Sequence, residues 1–400
     1  MKVAVTNIAT IVSGDWRDPI VSGDTIVMKD GLIDSVGTAS ARDLADCDVV
    51  VDANRTTACP GLIDSHVHIA FGDYTPKQQA VGFLESYLHG GTTTSISASE
   101  VHVAGRPKDR DGVKALAVAA FKCFENYRPA GMRVHGGSLI LEPTLQPEDF
   151  SELRSKGLWH AKVGFGSVKT PYDYVPLVKA ARAAGFTVNA HTGGASISLA
   201  NSIHGEHLIA MHPNVSYHVN GGPIAMPDAD FETIVRDTDI ALQICQAGNI
   251  RTALMCLNLA VKYNVFDRFL IATDTPTGTG MMPLGMIKSV TEMATLSDYP
   301  AEWMIAAATG NVARTYGLNN GYLRPGKDAD LLLVDAPMGG TQKNCLEAIK
   351  HGDVWSLVGC FTQGRPRFIG RSRNTPPPLR YPKVTHSKII NDFASVQQFS

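Results

Sequence analysis

The run Pro60-Gly61-Leu62-Ile63-Asp64-Ser65-His66-Val67-His68 sets two histidines two residues apart inside a strand-like segment. Alternation along a strand puts both imidazoles on one face, and near the strand's end neutral rings on that face can share a cation. A bare pair of this kind also suits two hydrogen-bonded core histidines. The other ligand-type residues weigh toward chemistry. Lys162, His191 and His218 each close a further β-rich run, and Asp274 follows another. If those runs are strands of one parallel barrel, their C-terminal ends converge on a single mouth.

Imidazole nitrogens with one carboxylate favour zinc, with iron or manganese as alternatives, over magnesium or calcium. Lys162 cannot ligate as an ammonium. Once desolvated it can react with carbon dioxide to form a carbamate, whose two oxygens can bridge two cations; the alternative is an ordinary buried or ion-paired lysine.

The elements that must position these side chains are legible as a rhythm. Eight apolar, β-rich runs occur at 62–68, 92–97, 133–141, 159–163, 187–191, 215–219, 239–244 and 268–273. Helix-length stretches lie among them at 77–89, 111–126, 174–184, 228–237, 250–263 and 284–297. Such alternation implies βα units, and eight of them predict an α/β protein built on a (β/α)8 TIM-like barrel. Strand-turn-strand text at both ends, with Asp30-Gly31 as a hairpin signal, predicts a small β-sandwich domain from residues 1–57 and 318–370, with the barrel at 58–317 inserted between them. The proline-rich, basic sequence after Ile369 predicts an extended C-terminal tail over 371–400.

A chain of 400 residues holds such an architecture with a deep core. Lys and Arg number 36 against 38 Asp and Glu, a net charge of −2 without a basic stripe, so neither nucleic acid nor an anionic membrane is an expected partner. A small molecule is. The seven cysteines contain no CxxC pair, and with no secretory leader or long apolar run a soluble, cytoplasmic protein is expected. The glycine-rich pieces after His191 and His218 lack the context of a phosphate loop and are expected to give backbone room beside a metal.

These motifs resemble the amidohydrolase superfamily and, within it, the enamidases that open a cyclic enamide. The likeness runs nearly end to end. It includes PGLIDSHVH, GRPKD (105–109), RVHGGSLILE (133–142), AHTGGAS (190–196), HVNGGP (218–223), DTPTGTG (274–280), ATGNVARTYGL (308–318) and SRNTPP (372–377). Carried over by position, the resemblance makes His66, His68 and Asp274 ligands of a first metal, Lys162 the bridging position, and His191 and His218 ligands of a second. One departure concerns the substrate: enamidases carry a glutamate where this chain has Lys162, whereas hydantoinases and dihydroorotases carry a carboxylated lysine.

The implied mechanism is hydrolysis of a C–N amide bond by a metal-bridging hydroxide, with Asp274 as general base and then acid. From a cyclic enamide the released enamine would tautomerise and lose ammonia to water. Arg106 and Lys108 are the candidates for a substrate carboxylate, with solvated loop charges as the alternative, and His160 and Thr192 are pocket candidates. His204, His207 and His212 receive no role, and His102 and His135 stay unassigned. A homo-oligomer, a tetramer, is the family expectation. The rivals are a hydantoinase-, dihydroorotase- or exocyclic-amidase-like enzyme using carboxylated Lys162, a mononuclear deaminase, and a non-catalytic barrel.

Overall fold

The computed structural model describes residues 1–69, 80–101, 105–197, 200–222, 224–276 and 282–388. His102, Pro223, the start of the helix predicted at 77–89, the end of the DTPTGTG motif and the last residues of the tail lie outside these.

The middle of the chain forms a (β/α)8 barrel. Its strands are Leu62–Val67, Thr92–Ser97, a third in two pieces (Arg133–His135 and Leu139–Ile140), His160–Val163, Thr187–His191, Val215–Tyr217, Ala241–Cys245 and Phe269–Ala272. Neighbours pair in parallel. Burial on both faces explains why runs such as FLIA are apolar throughout. The third strand, read from sequence as continuous over 133–141, is interrupted by Gly136 and Gly137. Each piece pairs with a different neighbour. The glycines are required because a β-carbon at either would meet the helix Arg110–Glu125 at 2.8 Å. The ring closes between the eighth and first strands, where Asp274 N–H donates to His66 O at 2.9 Å and His68 N–H to Thr275 O at 2.8 Å.

The outer helices follow their local chemistry. Asp109 caps Arg110–Glu125 by accepting from Gly112 N, and the helix buries Val113, Ala117, Ala120 and Phe124 at helical spacing. Asn249 caps Ile250–Lys262 through Arg251 N and Thr252 N. Among the described residues, six short α-helices were not placed from the sequence: Ala41–Ala45, Pro147–Ser155, Gly205–Met211, Ala301–Ala307, Gly310–Tyr316 and Cys345–His351.

Two further sheets pack face to face. One, of five strands, holds Lys2–Thr6, Thr25–Lys29, Leu32–Gly37, Val49–Asp52 and Lys383–Ser387; the other, of six, holds Thr10–Val12, Ile20–Val21, Thr57–Pro60, Leu331–Asp335, Ser356–Thr362 and Arg365–Ile369. Val3, Val5, Val49 and Val51 from the first meet Ala58, Leu331, Leu333 and Phe361 from the second. Ala4 and Val50 point to the opposite face, the period-two signature of a strand. Asp30 and Gly31, with φ of 52° and 89°, make the tight turn expected of them. The segment beyond Ile369 runs without helix until Lys383–Ser387 pairs antiparallel with Val49–Asp52, a membership in the sheet that composition did not reveal.

Candidate metal centre

His66 lies in the first barrel strand, His68 just beyond it, and Asp274 follows the eighth strand across the barrel's seam. Nε2 of His66 lies 3.0 Å, and Nε2 of His68 3.1 Å, from the same oxygen, Oδ1 of Asp274. The ligand atoms of the three residues all lie within 4.8 Å of one another, and all three are buried. Asp274 adopts φ 59°, a left-handed backbone that costs a non-glycine residue roughly 1–2 kcal/mol.

A second cluster faces the first. The ring centroids of His66 and His218 are 5.3 Å apart, and Nδ1 of His191 lies 3.1 Å from Nε2 of His218. His218 stands one residue past its strand, at φ 35°.

The hydrogen bonds of these rings fix their tautomers. His191 Nε2 donates to Gly194 O at 2.9 Å and His218 Nδ1 donates to Thr192 O at 3.0 Å. Carbonyls only accept, so the opposite nitrogens, which face each other, both carry lone pairs. His66 Nδ1 bonds Gln243 Oε1 at 2.9 Å, turning the lone pair of its Nε2 toward Asp274. Burial holds all four rings below the ordinary imidazole range, His68 and His191 at about 4 and His218 well below its usual value. They are neutral, the form that ligates.

Lys162 lies between the clusters. Its Nζ is 3.5 Å from His66 Nε2 and packs against the rings of Phe165 and Tyr217 at 4.8 and 5.4 Å. Burial pulls the ammonium down to about 8, against the opposing pull of Asp274, which enlarges the share of neutral amine able to attack carbon dioxide.

The structure thus brings together His66, His68, Lys162, His191, His218 and Asp274. Of the candidate substrate contacts, Arg106 is buried and its guanidinium is committed to Glu142 and Phe165 O, while Lys108 is exposed on the same loop. Thr192 is buried with its hydroxyl 2.7 Å from Ser216 Oγ, and its carbonyl orients His218. His160, on the same face of its strand as Lys162, bonds Ser97 O at 3.2 Å through Nε2. His204 and His212 cap the two ends of the helix Gly205–Met211 and His207 lies in its first turn, with His212 held by Arg182 and Asp239. His135 packs edge-on against Trp159.

Sequence reasoning missed the residues that orient the ligands. Gln243 fixes His66, and its own amide donates to Ser65 Oγ at 2.8 Å; Ser99 Oγ lies 3.1 Å from His68 Nδ1. A lone amide in the apolar run ALQIC was the one available signal for Gln243. Ser99 gave none.

This fold, with histidines and an aspartate gathered at the strand ends, is that of a metal-using hydrolase, and residues 57–355 match the amidohydrolase family. The chain belongs to that family. It is 41% identical to the enamidase of Eubacterium barkeri over 384 residues, covering 96% of this chain and 99% of the relative. A solved enamidase structure superposes with a TM-score of 0.91 at 41% identity, over 96% of this chain and 100% of that one. A dihydroorotase structure shares the fold at 19% identity, with a TM-score of 0.65 over 94% and 99% of the two chains. No helix among the described residues is long and apolar enough to cross a membrane.

Proposed function

We propose that this chain opens a cyclic amide, as an enamidase does, at a centre where His66, His68 and Asp274 would hold one divalent cation, His191 and His218 a second, and Lys162, once carboxylated, would bridge them. The observation that carries the reading is the facing pair of lone-pair nitrogens on His191 and His218, 3.1 Å apart. Two acceptors at that distance repel unless a cation lies between them, and zinc–nitrogen bonds of about 2.0–2.1 Å fit such a separation. His66 Nε2 and Asp274 Oδ1 repeat the arrangement at 3.0 Å. The likeness to an enamidase supports the substrate class.

Cations bound there supply Lewis-acid activation of water and of the scissile carbonyl. The protein's own residues do the rest. Gln243, Gly194 O and Thr192 O hold three rings in the ligating tautomer. Phe165 and Tyr217 keep the surroundings of Lys162 dry. Asp274 takes a proton from the attacking water and returns it to the departing ring nitrogen. Zinc suits this donor set, with iron or manganese as substitutes.

A second reading, a hydantoinase- or dihydroorotase-like amidase with carboxylated Lys162, is favoured by the burial of that lysine. We take the assembly to be a homo-oligomer, a tetramer, and the compartment to be the cytoplasm, in keeping with seven unpaired cysteines. We retain the division into a small β domain (1–57 and 318–370), a barrel (58–317) and a C-terminal segment.

Metal content per chain, measured on protein prepared with bicarbonate, together with turnover of tetrahydro-6-oxonicotinate, hydantoin and dihydroorotate, tests this. About two cations with turnover of the enamide are expected. Turnover of only the other rings would replace the first reading by the second; no bound metal and no turnover would sink both.

A further inference from the structure

Among the described residues, the seam between the eighth and first barrel strands carries the backbone bonds from Asp274 N–H to His66 O and from His68 N–H to Thr275 O, and Asp274 must reach across it to both imidazoles. Its backbone is left-handed, a conformation that persists only where the surroundings over-determine it. The residue before it supplies the determination. Thr273 donates its hydroxyl to Asp64 Oδ2 at 2.5 Å and its N–H to Asp64 Oδ1 at 3.2 Å. Asp64 Oδ1 also accepts His66 N–H at 3.2 Å. On the far side of Asp274, Thr275 N–H donates back to the Thr273 hydroxyl at 3.2 Å, and Tyr87 OH lies 3.3 Å from the same oxygen. Asp64 is wholly buried, and Thr273 nearly so.

We infer that Asp64 and Thr273 are positioning residues for the metal centre: their knot sets the backbone of Asp274 relative to that of His66, so that one carboxylate oxygen meets His66 and His68 at equal reach. Neither side chain is itself among the ligands. Asp64 holds both partners at once, His66 through its N–H and Asp274 through Thr273. The inference rests on the metal reading above and adds the means by which the two halves of the first cation's site are kept in register.

The test uses the full chain loaded with cobalt(II), whose visible absorption reports ligand geometry. Thr273→Val keeps the shape and deletes the hydroxyl; Thr273→Ser restores the hydroxyl. Thr273→Val is expected to shift the cobalt band and weaken metal affinity about 10- to 100-fold, as loss of a ligand's support does, with kcat falling more than KM rises. Thr273→Ser should recover most of both. Asp64→Asn should shift the band the same way. A lower melting temperature with an unchanged band, affinity and kcat would reduce the knot to ordinary packing and overturn the inference. Asp274→Ala is the control: unchanged cobalt affinity in that variant would overturn the metal reading itself, whereas lost affinity there beside a wild-type band in Thr273→Val would overturn the positioning role alone.

Discussion

Arg106 and Glu142 form an ion pair whose side chains are 2% and 1% exposed. Glu142 Oε2 also accepts Ser167 N–H at 2.7 Å, and Arg106 donates to Phe165 O. One charge pair therefore ties together the segments after the second, third and fourth barrel strands, and it holds the loop whose Phe165 ring covers Lys162. Glu142→Leu would leave the guanidinium unpaired in dry surroundings, at a cost of about 3–5 kcal/mol. Arg106→Met combined with Glu142→Leu should recover most of that. Denaturant titration of the two variants decides; a Glu142→Leu protein as stable as wild type would show that the pair is not structural.

Removing one half of the metal centre should be visible in stoichiometry before it is visible in structure. His191→Ala and His218→Ala are each expected to lower bound metal from about two cations toward one, and His66→Ala should act on the other cation. Exhaustive chelation of wild-type protein should abolish hydrolysis, and added zinc should restore it. Full metal content in His218→Ala would count against a second cation at that position.

The bridging role of Lys162 predicts a dependence on dissolved carbon dioxide. Metal loading of wild type in carbon-dioxide-free buffer should be slower or incomplete, and bicarbonate should correct it. Lys162→Glu supplies a carboxylate directly, so its loading should be indifferent to bicarbonate, while Lys162→Ala should load poorly under both conditions. Loading of wild type that ignores bicarbonate altogether would leave Lys162 as a simple buried amine.

Asp149 offers a pH test away from the centre. Burial raises its carboxyl, but hydrogen bonds from Arg110 and Lys114, both at 2.7 Å, outweigh that and bring it from 3.8 to about 2. A pKa lowered on folding stabilises the native state above the unfolded value and stops doing so as pH falls through the folded one. The contribution, about 2 kcal/mol, should therefore be complete above 3.8 and vanish near 2. Melting temperatures of wild type and Asp149→Asn should converge over that window; a gap that stays constant would contradict the assignment.

The barrel was legible because its strands are apolar on both faces and its helices separate them, so the count of eight survived errors at the boundaries. The ligands were legible for the same reason: His66, His191 and Lys162 occupy inward positions in strands whose register follows from alternation. What sequence could not show were contacts made across the barrel. The glycine break in the third strand depends on the closeness of the helix Arg110–Glu125, and the partnership of Arg106 depends on Glu142, 36 residues away. Gln243 and Ser99 matter only because the fold turns them toward His66 and His68.

The strand Lys383–Ser387 gives the smaller sheet pair an unusual history during synthesis. Thr385 donates its hydroxyl to Val50 O, a partner 335 residues earlier in the chain. On the ribosome the Val49–Asp52 edge must wait, with its N–H and C=O groups unmatched, while the whole barrel emerges. Open edges of this kind recruit strands from other molecules, so the barrel is the part of this chain that can fold as it is made, and the sandwich the part that closes last. A chain that stops before Lys383 would keep that edge open permanently, and self-association, rather than loss of the catalytic centre, is the defect it should display.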